Sequence, residues 1–285
     1  MGLSAGWGLT VLLTYTRSGG APVDAWCYYG FPPADPWADG SCFVYSPPLA
    51  QAMMAVQAVM PFEAFVALLR TIEMIALAAL AGPALGLALF IPAVAIEINA
   101  ANINILIAVA IVLSFRYPWM WAPVILAKVT PGIGILWFAV RREWRQLAIA
   151  IGVTASLAGV SWVIAPDLWR QYVAGLRAAT DDSIWLIGWR LPLAALVVVW
   201  GARKDHRWAL VVAVFLALPR WYYLSPVILV GLFPLVRLPR PLPWMAWWTL
   251  RSRATVPLST TTPLADQPAA AAATSEGRTA RAPSS

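Results

Sequence analysis

Asp24 stands in the aromatic stretch Asp24-Ala25-Trp26-Cys27-Tyr28-Tyr29, with Phe43-Val44-Tyr45-Ser46-Pro47-Pro48 close behind it. A carboxylate beside rings can take a proton from a sugar hydroxyl while the rings stack on the sugar face. The plainer reading is a loop aspartate that caps a turn. Lys128 is one of only two lysines in the chain, and it lies in the middle of an apolar stretch broken by Pro118, Pro123, Pro131, Gly132 and Gly134. Its ammonium, with free N–H groups at an adjacent helix end, can neutralise a lipid phosphate, or it can simply snorkel to an interface. The run Glu97-Ile98-Asn99-Ala100-Ala101-Asn102-Ile103-Asn104 supplies a carboxylate and three amides. Glu97, Asn102 and Asn104 suit sugar hydroxyls, although interhelical amide bonds need the same residue types. Arg190 lies about two turns beyond Asp181 and Asp182, where it can reach the same outer face and a donor phosphate. Tyr222 and Tyr223 are either acceptor-binding rings or part of an interfacial aromatic belt. Arg70 and Glu73, three apart on one helix, read as a buried pair that satisfies itself.

These residues are embedded in a chain of 285 residues that is 61% hydrophobic and only 12% charged, with mean hydropathy +0.71. Apolar runs near membrane length recur throughout, which predicts an all-α polytopic membrane protein. Seventeen tryptophans, many beside Arg, Pro or Tyr at the ends of apolar runs, fit the aromatic belts of two membrane interfaces. Residues 3–16 would give a helix of about 21 Å, short of a ~30 Å hydrocarbon core, so either this helix is short or the start lies upstream. No basic residue precedes that run, so a cleaved leader is not expected. An outer loop over 17–48 follows, then a short proline-started helix to Met60 and a longer helix opened by Pro61 that reaches about Ala81. Further spans are expected at 83–96, 101–114, 146–165, 184–200, 208–220 and 222–236, giving about eight transmembrane helices. The stretch 117–140 reads instead as a re-entrant hairpin of two half-helices, which membranes tolerate where broken backbone is buried in protein or lines a cavity.

Charge sets the expected orientation. With the amino terminus inside and 117–140 re-entrant, Arg116, Arg141, Arg142, Arg145, Arg203, Lys204, Arg207, Arg237 and Arg240 fall on the cytoplasmic side, while Asp24, Asp35, Asp39, Glu97, Asp167, Asp181 and Asp182 fall outside with few bases beyond Arg17, Arg170, Arg177 and Arg220. The net charge of +7 is therefore a matter of membrane orientation and not of nucleic-acid binding. Cys27 and Cys42 both lie in the outer loop; they either close a disulfide or remain two free thiols. Two cysteines and the single His206 are too few for a metal site. A transmembrane domain over 1–248 is expected, with a disordered cytoplasmic tail over 249–285, rich in Ala, Pro, Ser and Thr. Neither an internal repeat nor a glycine-rich phosphate loop is present.

The order of these features over roughly residues 20 to 240 resembles glycosyltransferase family 87, membrane enzymes of the C type that use polyprenyl-phosphate sugars. The matching pieces are Asp24 with Tyr28, Val44-Tyr45-Ser46-Pro47-Pro48, Asn102-Ile103-Asn104 and Ala127-Lys128-Val129-Thr130-Pro131. Arg141-Arg142-Glu143-Trp144-Arg145, Arg190-Leu191-Pro192, Arg207-Trp208 and Leu216-Ala217-Leu218-Pro219 follow in the same order. Ala101 stands where the family has a glycine, and Ser46 interrupts its tyrosine and double proline.

The resemblance implies a C-type glycosyltransferase fold and a hexosyltransferase of the plasma membrane acting on the non-cytoplasmic face. Asp24 would be the catalytic base, and Lys128 with Arg190 would hold the donor phosphate. Tyr28, Tyr45, Glu97, Asn102, Asn104, Tyr222 and Tyr223 would contact sugar or acceptor. The donor would be a polyprenyl-phosphate sugar, chiefly mannose, and the acceptor a glycolipid or polysaccharide; no metal, cofactor or nucleic acid is expected. Two other classes compete: a transporter or lipid flippase, which shares broken helices and buried cations, and a shortened inactive relative that serves as a partner subunit.

Overall fold

The computed structural model describes residues 22–38, 41–178, 183–221 and 224–236, without the side chains of 177–178 and 183–187. The expected first helix at 3–16, Asp39, Asp181, Asp182, Tyr222, Tyr223 and the tail over 249–285 lie outside the described residues. Every regular element among those described is helical.

The loop before Pro47 holds a short helix, α1 (Val23–Tyr29), and then turns over residues 30–38. Pro47 and Pro48 occupy the first positions of α2 (Pro47–Val59), where a missing N–H costs nothing and the fixed φ suits a helix. Pro61 caps α3 (Phe62–Ala81), whose buried face runs through Phe65, Leu69, Glu73, Leu77 and Leu80 at helical spacing. Gly82, at φ 53°, turns the chain out of α3. The expected span at 83–96 is broken: a 3₁₀ turn and α4 (Leu85–Leu89) end at Phe90, and Pro92 starts α5 (Pro92–Ala100).

The next expected span also begins late, because Ala101 at φ 52° and ψ 55° ends α5 and α6 (Asn104–Ser114) sets off at 103° to it. A left-handed alanine is costly, so packing must enforce this bend. Ala101 is fully buried beneath the loop.

The stretch 117–140 does contain two halves. The first is a 3₁₀ turn (Pro118–Met120) leading into α7 (Trp121–Ala127); the second is another 3₁₀ turn (Thr130–Ile135) leading into α8 (Leu136–Val140). Lys128 is extended between them, at φ −144° and ψ 112°. The halves lie against each other closely enough that a Cβ on Gly134 would stand 2.1 Å from the Trp121 ring. Trp121 is itself fully buried and has nowhere to move. Gly134→Ala is therefore expected to cost about 1–3 kcal/mol through overpacking, read as a lower melting temperature of the detergent-solubilised protein.

The rest of the chain completes the bundle with α9 (Trp144–Ile164), α10 (Pro166–Ala178), α11 (Ser183–Lys204), α12 (Trp208–Ala217) and a 3₁₀ stretch (Ser225–Leu232). Arg141 clamps the turn before α9 to the turn after α11, bonding Glu143 at 2.8 Å and Asp205 at 2.9 Å. One apolar cluster unites α3, α6, α7, α8, α11, α12 and the last 3₁₀ stretch around Leu77, Ile111, Trp121, Phe138, Leu210 and Ile228. A second, more aromatic cluster lies under the outer loop around Tyr28, Phe31, Phe43, Tyr45 and Phe65.

Phe62–Leu89 and Trp144–Ile164 are long and apolar enough to cross a membrane, and α5 with α6 would make a third such segment if the bent pair counts as one. The described residues thus hold two or three membrane-capable helices, accompanied by shorter apolar ones, where the sequence suggests about eight spans, several of them short. Proline and left-handed breaks, invisible to averaged hydropathy, account for the difference.

Candidate active site

The outer loop is a fixed structure and not a tether. Cys27 and Cys42 are bonded, with Cα atoms 5.1 Å apart, which settles a pairing that the sequence left open. Trp37 Nε1 donates to the Tyr45 carbonyl at 3.0 Å, and Tyr29 OH donates to the Met60 carbonyl at 2.6 Å. Helix α10 packs over the loop through Gln171 Nε2, which donates to the Ala34 carbonyl at 3.2 Å, and through the Tyr172 ring 5.3 Å from Trp37. Ser46 Oγ donates to the Leu126 carbonyl, clipping the end of the loop to the last turn of α7 beside Lys128. A fifteen-residue disulfide loop is worth about 3 kcal/mol in the chain-entropy picture. Cys27→Ser with Cys42→Ser is thus expected to lower the unfolding free energy by about that amount and to open residues 30–46 to limited proteolysis.

The bend at Ala101 is what joins the distant candidates. Asn102, just past it, turns toward the loop: its Oδ1 accepts from Tyr28 OH at 2.8 Å and from the Ile103 N–H at 2.7 Å. The Asn102 amide also acts on the Asp24 carboxylate, favouring its charged form. Tyr45 OH donates to Tyr28 OH at 3.1 Å, so both tyrosines belong to the same chain of bonds. Asn104, two residues on, turns toward the hairpin. Its Oδ1 accepts from Lys128 Nζ at 3.1 Å, while its backbone N–H and Nδ2 hold the two Glu97 oxygens at 2.7 and 3.2 Å.

Asp24, Tyr28, Tyr45, Glu97, Asn102, Asn104 and Lys128 thus form one polar cluster built from the loop, the α5–α6 bend and the hairpin break. Asp24 and Lys128 act on each other electrostatically, and no salt bridge joins them among the described residues. Burial pushes the Asp24 carboxyl above its ordinary value, and Lys128 and the Asn102 hydrogen bond pull only part of the way back. The Tyr28 phenol is held well above its ordinary value, first by burial and then by Tyr45, so it remains a hydrogen-bond donor.

Against this cluster lies a cavity of about 410 Å³ whose walls come from the loop and from α2, α3, α6 and α7. Tyr28 is its polar edge; the rest is apolar, including Met53, Phe65, Leu69, Ile107 and Val124. Such a space takes a hydrocarbon chain far better than a sugar.

Arg190, Arg70 and Glu97 have partners that the sequence does not suggest. Arg190 bonds from Nη2 to the Pro219 carbonyl at 3.1 Å and stacks on the Trp221 ring at 4.7 Å, among other contacts. Arg70 and Glu73 do not satisfy each other: Arg70 Nη2 donates to the Asn99 carbonyl and to Asn99 Oδ1. Neither Glu73 oxygen has a hydrogen-bond partner. Glu97 is fully buried and spoken for by Asn104, so it supports the site from behind and does not offer free oxygens to a sugar. The tyrosine-to-tyrosine bond was not foreseen from sequence, because residues 28 and 45 carry no periodic relation.

Together these features define an all-helical, membrane-capable protein with a polar cluster at the junction of a disulfide-closed loop and a broken hairpin. Comparison of the chain with protein-family models, curated proteins and solved structures returns no match.

Proposed function

We propose that this chain is an integral-membrane glycosyltransferase that moves a hexose from a polyprenyl-phosphate donor to a hydroxyl of a glycolipid or polysaccharide. The single observation that carries this reading is the convergence of Asp24 and Lys128, with Asn102 and Asn104, beside an apolar cavity. In the reaction, Asp24 takes the proton of the acceptor hydroxyl, and the acceptor oxygen attacks the anomeric carbon. The bond from that carbon to the phosphate oxygen breaks, its electron pair stays on the phosphate, and Lys128 offsets the charge. The isoprenoid tail occupies the apolar cavity, and Tyr28 with Tyr45 packs against the sugar. Mannose as the hexose follows from the likeness to glycosyltransferase family 87 and from nothing in the cluster itself.

A disulfide in the loop supports a non-cytoplasmic site, since such bonds persist in oxidising compartments. The shorter apolar helices would complete a multi-pass plasma-membrane domain of about eight crossings, with 117–140 re-entrant and the tail in the cytoplasm. The test is direct: purified protein in nanodiscs, given polyprenyl-phosphate mannose and a mannoside, is expected to release polyprenyl phosphate and extend the acceptor. Absence of release with mannosyl, glucosyl and galactosyl donors alike rejects the reading. Solute uptake or lipid scrambling in proteoliposomes, without sugar transfer, would install the transporter in its place.

A further inference from the structure

Glu73 is fully buried in the middle of α3, a helix apolar enough to cross a membrane, and both of its oxygens lack a hydrogen-bond partner. An ionised carboxylate in that position is among the most costly groups a protein can hold. The cations nearby each bond to another group, although Arg70 Nε, like the Glu73 oxygens, has no hydrogen-bond partner. Arg70, nearly one turn earlier on α3, spends its Nη2 on Asn99 at the end of α5, and Lys128 donates to Asn104. Glu73 acts electrostatically on Glu97, Arg70 and Asp24 across the packing of α3 against α5.

The charges of this cluster do not balance. Three carboxylates, Asp24, Glu73 and Glu97, face two cations, Arg70 and Lys128. Asp24 is partly exposed and bonded to Asn102, and Glu97 has both oxygens held by Asn104. Among the described residues, neither Glu73 oxygen accepts a hydrogen bond from any side chain or backbone group. Among the described residues no group of three His, Cys, Asp or Glu side chains is placed to hold a metal ion.

We propose that Glu73 is a proton-binding site, the place where this buried cluster carries the one proton that balances its charge and exchanges it in step with Asp24. The site stands independently of sugar transfer. If transfer occurs, ionisation of Glu73 would add a second negative neighbour to Asp24 and strengthen it as a base.

The test is infrared difference spectroscopy on the full chain in nanodiscs. At neutral pH the protein is expected to show the carbonyl stretch of a protonated carboxylic acid, absent in Glu73→Gln and displaced but present in Glu73→Asp. Raising the pH should remove the band. Asp24→Asn takes away a negative neighbour and should shift that loss about one pH unit lower. Arg70→Gln takes away a cation and should shift it about one pH unit higher. A spectrum at neutral pH that is the same in wild type and Glu73→Gln overturns the proposal, as does a band whose titration ignores both neighbours. Glu73→Asp keeps the experiment decisive should Glu73→Gln fail to fold. Failure of the sugar-transfer assay leaves these spectra untouched, so the two readings fall separately.

Discussion

Asp24→Asn is expected to reduce release of polyprenyl phosphate by about 10²–10⁴-fold, the range that a positioned general base contributes. The substitution keeps the shape of the side chain and an oxygen to accept the Asn102 amide bond, so loop and disulfide should persist. What disappears is the capacity to take a proton. Because burial holds the Asp24 carboxyl above its ordinary value, its basic form is lost as pH falls through that raised value. The acid limb of the rate profile should therefore lie above the ordinary aspartate range near 3.9. A profile that is flat across that limb, or an Asp24→Asn enzyme with unreduced turnover, would remove Asp24 from the chemistry.

Lys128→Met should act twice. It leaves the Asn104 oxygen without its donor and Glu97 and Asp24 without their nearest shared cation. Leaving that buried acceptor unsatisfied costs about 1–3 kcal/mol, which should appear as a fall in melting temperature. It also removes the group that would hold the donor phosphate, so donor KM should rise by about a hundredfold or more, the value of a charge-assisted bond of about 3 kcal/mol. Lys128→Arg separates the effects. The retained charge should recover most of the stability, whereas the broader guanidinium should not restore donor affinity at a site shaped by one Asn104 oxygen. Equal recovery of both would mean that the ammonium is only a structural counter-charge.

The site was legible in sequence to the extent that its residues are expensive where they stand. A carboxylate among aromatics, a lone lysine in a proline-broken apolar stretch and paired asparagines between apolar runs announce themselves by cost, and Asp24, Asn102, Asn104 and Lys128 meet in one cluster. What depended on the path of the backbone was not legible. Hydropathy averages smoothly over Phe90 and Ala101, yet both interrupt helices, one before a proline and the other in the left-handed region. Arg70 and Glu73 looked like partners because a helix places them one above the other. The end of α5 offers Arg70 a carbonyl that sequence spacing does not reveal. Cys27 and Cys42 carry no distance in their spacing, so only coordinates join them.

The bond between those two sulfurs also acts as an interlock in time. Asp24 sits on the short helix that Cys27 shares, and the chain just past Cys42 is fastened through Ser46 to the hairpin beside Lys128. A newly made chain kept among reducing thiols would hold every residue of the cluster and still lack its assembled shape. Full assembly of the cluster would then wait for oxidation of one pair of thiols.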